Sequence, residues 1–158
     1  MQEIAEVENL PVAKTVKSSR KKFVTFWIQG ELFGVDILDV KEVTPIMDIT
    51  PVFHAPEEVM GYMNIRGEIH LVINPRILLN LPTRETEPDS RIVIFKPKVA
   101  EPFGIVVDSV GDVLEFDSGA IEPDKKSDSP KTGKNLVSGV CKLKENLLIV
   151  LDARKILN

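Results

Sequence analysis

The chain has 158 residues, 43% hydrophobic and 28% charged, with 20 Lys and Arg against 24 Asp and Glu. That is an ordinary globular composition, long enough for one unit or for two small subdomains sharing a core. A net charge of −4 argues against a nucleic-acid binder, whose domains are usually basic, and no apolar run approaches the ~18–20 residues a bilayer span needs. The opening MQEIAEVENLP carries acids where a signal peptide needs a basic stretch, so a cytoplasmic protein is expected. A lone cysteine, Cys141, forms no internal disulfide, and in GVCKL it reads as a small core filler.

In chain order, residues 1–20 show no sustained period and are expected to be a flexible tail. Strands are predicted at 22–28, 32–35, 43–49, 60–65 and 68–73. In EIHLVI, Ile69, Leu71 and Ile73 alternate with Glu68, His70 and Val72, the pattern of a half-buried strand. Arg66-Gly67 reads as a tight hairpin turn in which Gly67 takes a positive φ. Pro75 suits the first turn of a short helix over 75–80, and the polar stretch 83–90 is a connection. Further strands are predicted at 91–96, 103–107, 110–116, 137–143 and 147–151. LLIVL, apolar throughout, should be covered on both faces. Asp152 can cap a closing helix over 153–157. The loop 123–135, where Lys125, Lys126, Lys131 and Lys134 mix with Asp124 and Asp128, reads as solvated.

The chain also repeats itself. ELFGVDILDVKEV (31–43) matches EPFGIVVDSVGDV (101–113), and GYMNIRGEIHLVINPRILLN (61–80) matches GVCKLKENLLIVLDARKILN (139–158). Two blocks in the same order imply two copies of one supersecondary plan. About five short strands per copy predict an all-β fold of two small barrels, over about 21–82 and 91–158, with the chain ends free to exchange between them. Closure removes exposed edges, and barrels this small need a shared apolar core.

A catalytic constellation is not legible. The two histidines, His54 in a proline-bounded loop and His70 on a strand, belong to no HExxH or CxxC-type spacing, and no phosphate-binding glycine loop is present. Neither a metal nor a cofactor is expected, and none of the residues is assigned a catalytic role.

Six ordered motifs, ELFGVDI, VKEV, PEEVMGYMNIRG, LVINPR, GIVVDSVGDVL and GVCKLKENLLIVLD, span about residues 22–157. In this order they resemble the CheW family of chemotaxis coupling proteins. The resemblance implies two SH3-like five-stranded β-barrels around a common hydrophobic core, with short helices. It also implies a non-catalytic adaptor linking the cytoplasmic tip of a chemoreceptor, a helical hairpin, to the regulatory domain of the histidine kinase CheA. Such a protein would be monomeric alone, ring-forming with the kinase, free of membrane insertion, and recruited to the inner face of the membrane through receptors. The alternative is a CheW-like adaptor of another two-component pathway, such as surface motility.

Carried over by motif, a receptor groove between the barrels would be lined by Ile37, Val40 and Val43 from the first copy and Val107 and Val110 from the second. Glu42 and Arg66 would be its polar members, with Asn64 and Gly67 forming the turn. Each valine competes with a plain core role. Glu42 and Arg66 have echoes in Asp112 and Lys144, which suggests a strand-stitching ion pair in both copies. The sequence departs from the family at Asn74, where Asp is usual, and at Leu71 in place of proline.

Overall fold

Short runs rich in β-branched and aromatic residues make strands of about half of the described residues. The computed structural model describes residues 19–123 and 135–157, so the expected 1–20 tail and 123–135 loop lie almost wholly outside the described residues. Eleven strands are described: β1 (Arg20–Ile28), β2 (Glu31–Asp36), β3 (Val40–Pro45), β4 (Val59–Ile65), β5 (Glu68–Ile73), β6 (Arg91–Phe95), β7 (Phe103–Val107), β8 (Ser109–Asp117), β9 (Glu122–Pro123), β10 (Val137–Lys142) and β11 (Leu147–Leu151). One short α-helix, α1 (Pro75–Leu78), and 3₁₀ turns at Ile37–Asp39, Ser118–Ala120 and Ala153–Lys155 complete the set.

The strands form two sheets, in the orders β8-β1-β2-β11-β10-β9 and β3-β6-β7-β5-β4. Each copy therefore lends its leading hairpin to the other. β1 and β2 pair with strands of the second copy, and β6 and β7 with strands of the first. The stretches 21–82 and 91–158 are copies along the chain but not separate sheets, and the exchange reaches mid-chain as well as the ends. The short β9 gives the first sheet its sixth strand.

The repeat recurs in the register. β2 runs parallel to β11 with Gly34 beside Val150, and β5 runs parallel to β7 with Gly104 beside Val72. Both β4–β5 and β10–β11 carry an irregularity just before a glycine, Gly61 or Gly139. At Gly61 a side chain is excluded: its φ is +147° and a Cβ would lie 2.1 Å from the Thr50 carbonyl oxygen.

Three apolar clusters divide the interior. The largest takes Phe26, Phe33 and Leu151 from the first sheet and Ile73, Phe95, Phe103 and Ile105 from the second. Each sheet also encloses a cluster of its own, Phe23, Leu32, Cys141, Leu148 and Val150 in one, and Met63, Ile65, Val72, Ile92 and Ile94 in the other. A sheet that packs one face on its neighbour and the other on itself is curled, which is how two small barrels share a core. Beyond Leu147, which is exposed, LLIVL is covered on both faces, Leu148 and Val150 inside the first barrel and Leu151 in the shared core.

Two strand readings are corrected. The third strand runs over Val40–Pro45 rather than 43–49, because Pro45 has no N–H to continue the ladder with β6 and the chain leaves to pack Ile46 and Ile49 against the second barrel's core. In β5, His70, Val72 and Ile73 are buried while Ile69 is exposed, so the alternation does not mark a wet and a dry face. β5 lies between β7 and β4 and is covered on both sides beyond its first two residues, which a period-two pattern cannot report.

Candidate partner-binding site

The second sheet ends in β3 on one side and β4 on the other, and charged side chains join these edges. Arg66, in the β4–β5 turn, donates from Nη2 to Oε2 of Glu42 on β3. Beside it Lys41 Nζ stands 3.9 Å from Oε1 of Glu68, the first residue of β5. The turn that presents Arg66 is a two-residue turn between Ile65 and Glu68, with φ of 49° at Arg66 and 87° at Gly67. Positive φ at both central residues is the type I′ geometry that matches strand twist. Asn64 Oδ1 accepts from the Gly67 N–H at 2.8 Å and holds the turn closed. The guanidinium remains largely exposed, so the Glu42–Arg66 pair closes the barrel and still offers charge to a partner.

The predicted apolar residues separate into two groups. Val43, on β3, and Val110, on β8, are exposed, at 38% and 40%. Ile37 and Val40 are half-buried against the shared core. Val107 is fully buried within that core, so it cannot line a groove: β7 is an interior strand and its last residue packs inward. Val113, the repeat counterpart of Val43, is 53% exposed on β8 and was missed; the repeat itself was the signal for it. β3 and β8 each end their sheet, so the exposed valines sit on two equivalent edge strands.

The expected ionic echo is not kept. Among the described residues Asp112 and Lys144 form no ion pair, and the backbone carbonyl of Asp112 instead accepts from the Thr25 hydroxyl at 2.5 Å. Sequence reasoning also passed over a second apolar surface. Phe53 is 93% exposed in a loop where His54 takes a φ of 62°. With Val52, Tyr62, Leu71, Ile156 and Leu157 the loop lines a groove of about 390 Å³. The turn signals of TPVFHAP marked a loop there, but nothing in the string said that its aromatic side chain would be left uncovered.

His70 is buried, and its Nδ1 donates to the Glu68 carbonyl at 3.1 Å. Cys141 lies in the first barrel's own core, and burial, with a smaller contribution from the Glu122 charge, pushes its thiol above the ordinary value. No described helix is long and apolar enough to cross a membrane.

Two curled sheets around one core, edge strands bearing exposed valines, and a charged barrel closure define an all-β protein whose surface suits binding. Residues 22–158 match the family model for the CheW-like domain, and the chain belongs to that family. It is 30% identical over 153 residues to chemotaxis protein CheW of Treponema pallidum, covering 92% of this chain and 86% of that one. With chemotaxis protein CheW of Thermotoga maritima the identity is 32%, with 91% and 93% covered. The structure of scaffolding protein TtCheW from Thermoanaerobacter tengcongensis superposes with a TM-score of 0.74 at 33% identity, covering 84% of each chain.

Proposed function

We propose that this chain is a non-catalytic chemotaxis scaffold that holds a chemoreceptor tip and the regulatory domain of the histidine kinase CheA at once. The observation that carries the reading is that edge strands of both sheets leave valines exposed, Val43 on β3 and Val110 and Val113 on β8, with the Glu42–Arg66 pair on the β3 edge, on a chain of the CheW family. A helical hairpin docks by seating an apolar ridge against such residues while a few charges fix its register. Val107 has no part in that contact, and Ile37 and Val40 support it from behind.

Two partners held together need two surfaces, and the Phe53 groove supplies the second. An aromatic anchor this exposed suits a protein partner, and the kinase domain is the one assigned to it. Receptors would then recruit the chain to the inner face of the membrane, and alternation with the kinase domain would build rings.

The test is binding of an isolated receptor-tip fragment and of the kinase regulatory domain to variants that keep the wild-type melting curve. Val110→Glu and Arg66→Glu should each weaken the receptor fragment at least about tenfold, and Phe53→Asp the kinase domain alone. Wild-type receptor affinity in both of the first two would defeat the assignment.

A further inference from the structure

The chain passes from one sheet to the other twice, between β2 and β3 and between β7 and β8. Each crossing carries an aspartate, Asp39 or Asp108. Each aspartate is gripped by the arginine just beyond a copy's last strand, and those arginines, Arg154 and Arg76, are counterparts in the repeat. Arg76 Nη2 donates to both carboxylate oxygens of Asp108, at 2.9 and 2.7 Å. Arg154 Nη1 reaches both oxygens of Asp39, at 3.2 and 3.3 Å.

Both clamps tie one sheet to the other. Arg76, beyond β5, also donates to the Gln29 side chain in the β1–β2 turn and to the Pro82 carbonyl, while the Gln29 N–H donates to Asp108 Oδ2 at 2.9 Å. Arg154, beyond β11, meets Asp39 together with Lys98, which follows β6 and stands 3.8 Å away. The Asp39 carbonyl also accepts from the Lys96 N–H at 2.8 Å.

The two clamps are built from the same parts, and both carboxylates are largely buried, Asp39 at 10% and Asp108 at 18% exposed, but their cations sit in different media. The Arg76 side chain is 5% exposed and Asp108 has a further partner in Arg84 at 3.2 Å. At the other crossing the cations, Arg154 and Lys98, are 49% and 51% exposed, with longer contacts. Salt screens exposed pairs strongly and buried ones little. A buried, multiply bonded arginine resists separation because parting leaves charge stranded out of water.

We propose that the clamps make a one-sided hinge. The Asp108 crossing is the fixed pivot and the Asp39 crossing is an ionic latch, so the sheets move relative to one another by opening at Asp39. β3, which carries Glu42 and Val43, begins directly after the latch, and β8, which carries Val110 and Val113, begins directly after the pivot. Opening therefore shifts one half of the exposed valine set against the other, a consequence that rests on the proposed receptor-binding reading.

The test is amide hydrogen exchange on the full chain at roughly 0.05 M and 1 M NaCl, followed at two reporter amides. The Lys96 N–H reads the latch, and the Asp108 N–H, bonded to the Trp27 carbonyl at 2.9 Å, reads the pivot. High salt should speed exchange at Lys96 about tenfold and leave Asp108 within about twofold. Arg154→Gln should produce a change in the same direction at low salt and shrink the salt response, the remainder being carried by Lys98. Equal responses at the two amides, or no response at Lys96, overturn the hinge, and the wild-type comparison needs no variant to fold. A receptor-fragment titration of Arg154→Gln at low salt is the second arm. Weaker binding supports the coupling, whereas unchanged binding beside a positive exchange result removes the coupling and leaves the hinge standing.

Discussion

The two copies agree where the fold needs them to and part where a partner would meet them. Both place a glycine beside a valine across a parallel pair, both set another glycine at an irregularity within their last hairpin, and both end on a side-chain-capped turn carrying an arginine. They differ at that hairpin's tip. The first copy turns tightly through Arg66-Gly67 and pairs Arg66 with Glu42; the second turns through a longer loop in which the Leu143 N–H donates to the Asn146 carbonyl at 2.8 Å. What repeats is architecture, and the tip of the last hairpin is a place where the two copies diverge.

The strongest way to break the comparison is to load a glycine that both copies share. Gly61→Ala should cost roughly 3–4 kcal/mol in a urea titration, because backbone oxygen blocks the Cβ and φ is positive. Gly139→Ala should cost less, since its Cβ would meet the Glu122 carbonyl oxygen at 2.7 Å and no positive φ is imposed. Equal losses would mean that the two irregularities are interchangeable. Similar or somewhat smaller losses are expected at the clamps. Arg76→Gln should lose about 3 kcal/mol, because a buried arginine is removed and Asp108 keeps only Arg84 and the Gln29 N–H, whereas Arg154→Gln should lose less, about 1–2 kcal/mol, because Arg154 is half exposed and Lys98 still faces the buried Asp39.

Much of this was legible in the string. Short apolar runs bounded by turn signals located ten of the strands, the third with displaced bounds, Gly67 announced its turn, and the repeat implied a doubled plan. The string allowed the chain ends to exchange between barrels, but which strand completes which sheet was hidden, because it depends on contacts between residues far apart in sequence. Val107 shows the limit for the site: a valine at a strand's end looks the same whether it faces a core or a partner, and only the neighbouring strands decide. The aspartates of the clamps, one residue out of step in the aligned copies, gave no local sign of their arginines. Arg76 and Arg154 did recur, and that recurrence was the available hint.

Smaller effects sharpen the contrast at the hairpin tips. A double-mutant cycle on Glu42→Gln and Arg66→Ala should return a coupling of about 0.5–1 kcal/mol, modest because the arginine is exposed. The cycle on Asp112→Asn and Lys144→Ala should return none beyond error. A coupling of similar size in the second copy would show that the pair is part of the repeated fold and weaken its assignment to a partner.

The smallest expected effect concerns a cap at which the copies differ in residue but not in role. Asn74 Oδ1 accepts from the Arg76 N–H and Asp152 Oδ1 from the Arg154 N–H, each at 3.0 Å. Asparagine and aspartate cap about equally well, so Asn74→Asp should change stability by less than about 0.5 kcal/mol, while Asn74→Ala should cost about 1 kcal/mol. The departure from the family's usual aspartate is then a neutral exchange at a cap. Its neutrality has a structural consequence that urea titration can check: the cap, and not its charge, aims the buried Arg76 at Asp108, so Asn74→Ala should also lower the cost of a subsequent Arg76→Gln. Strict additivity of the two substitutions would show that the arginine is held by its carboxylate alone.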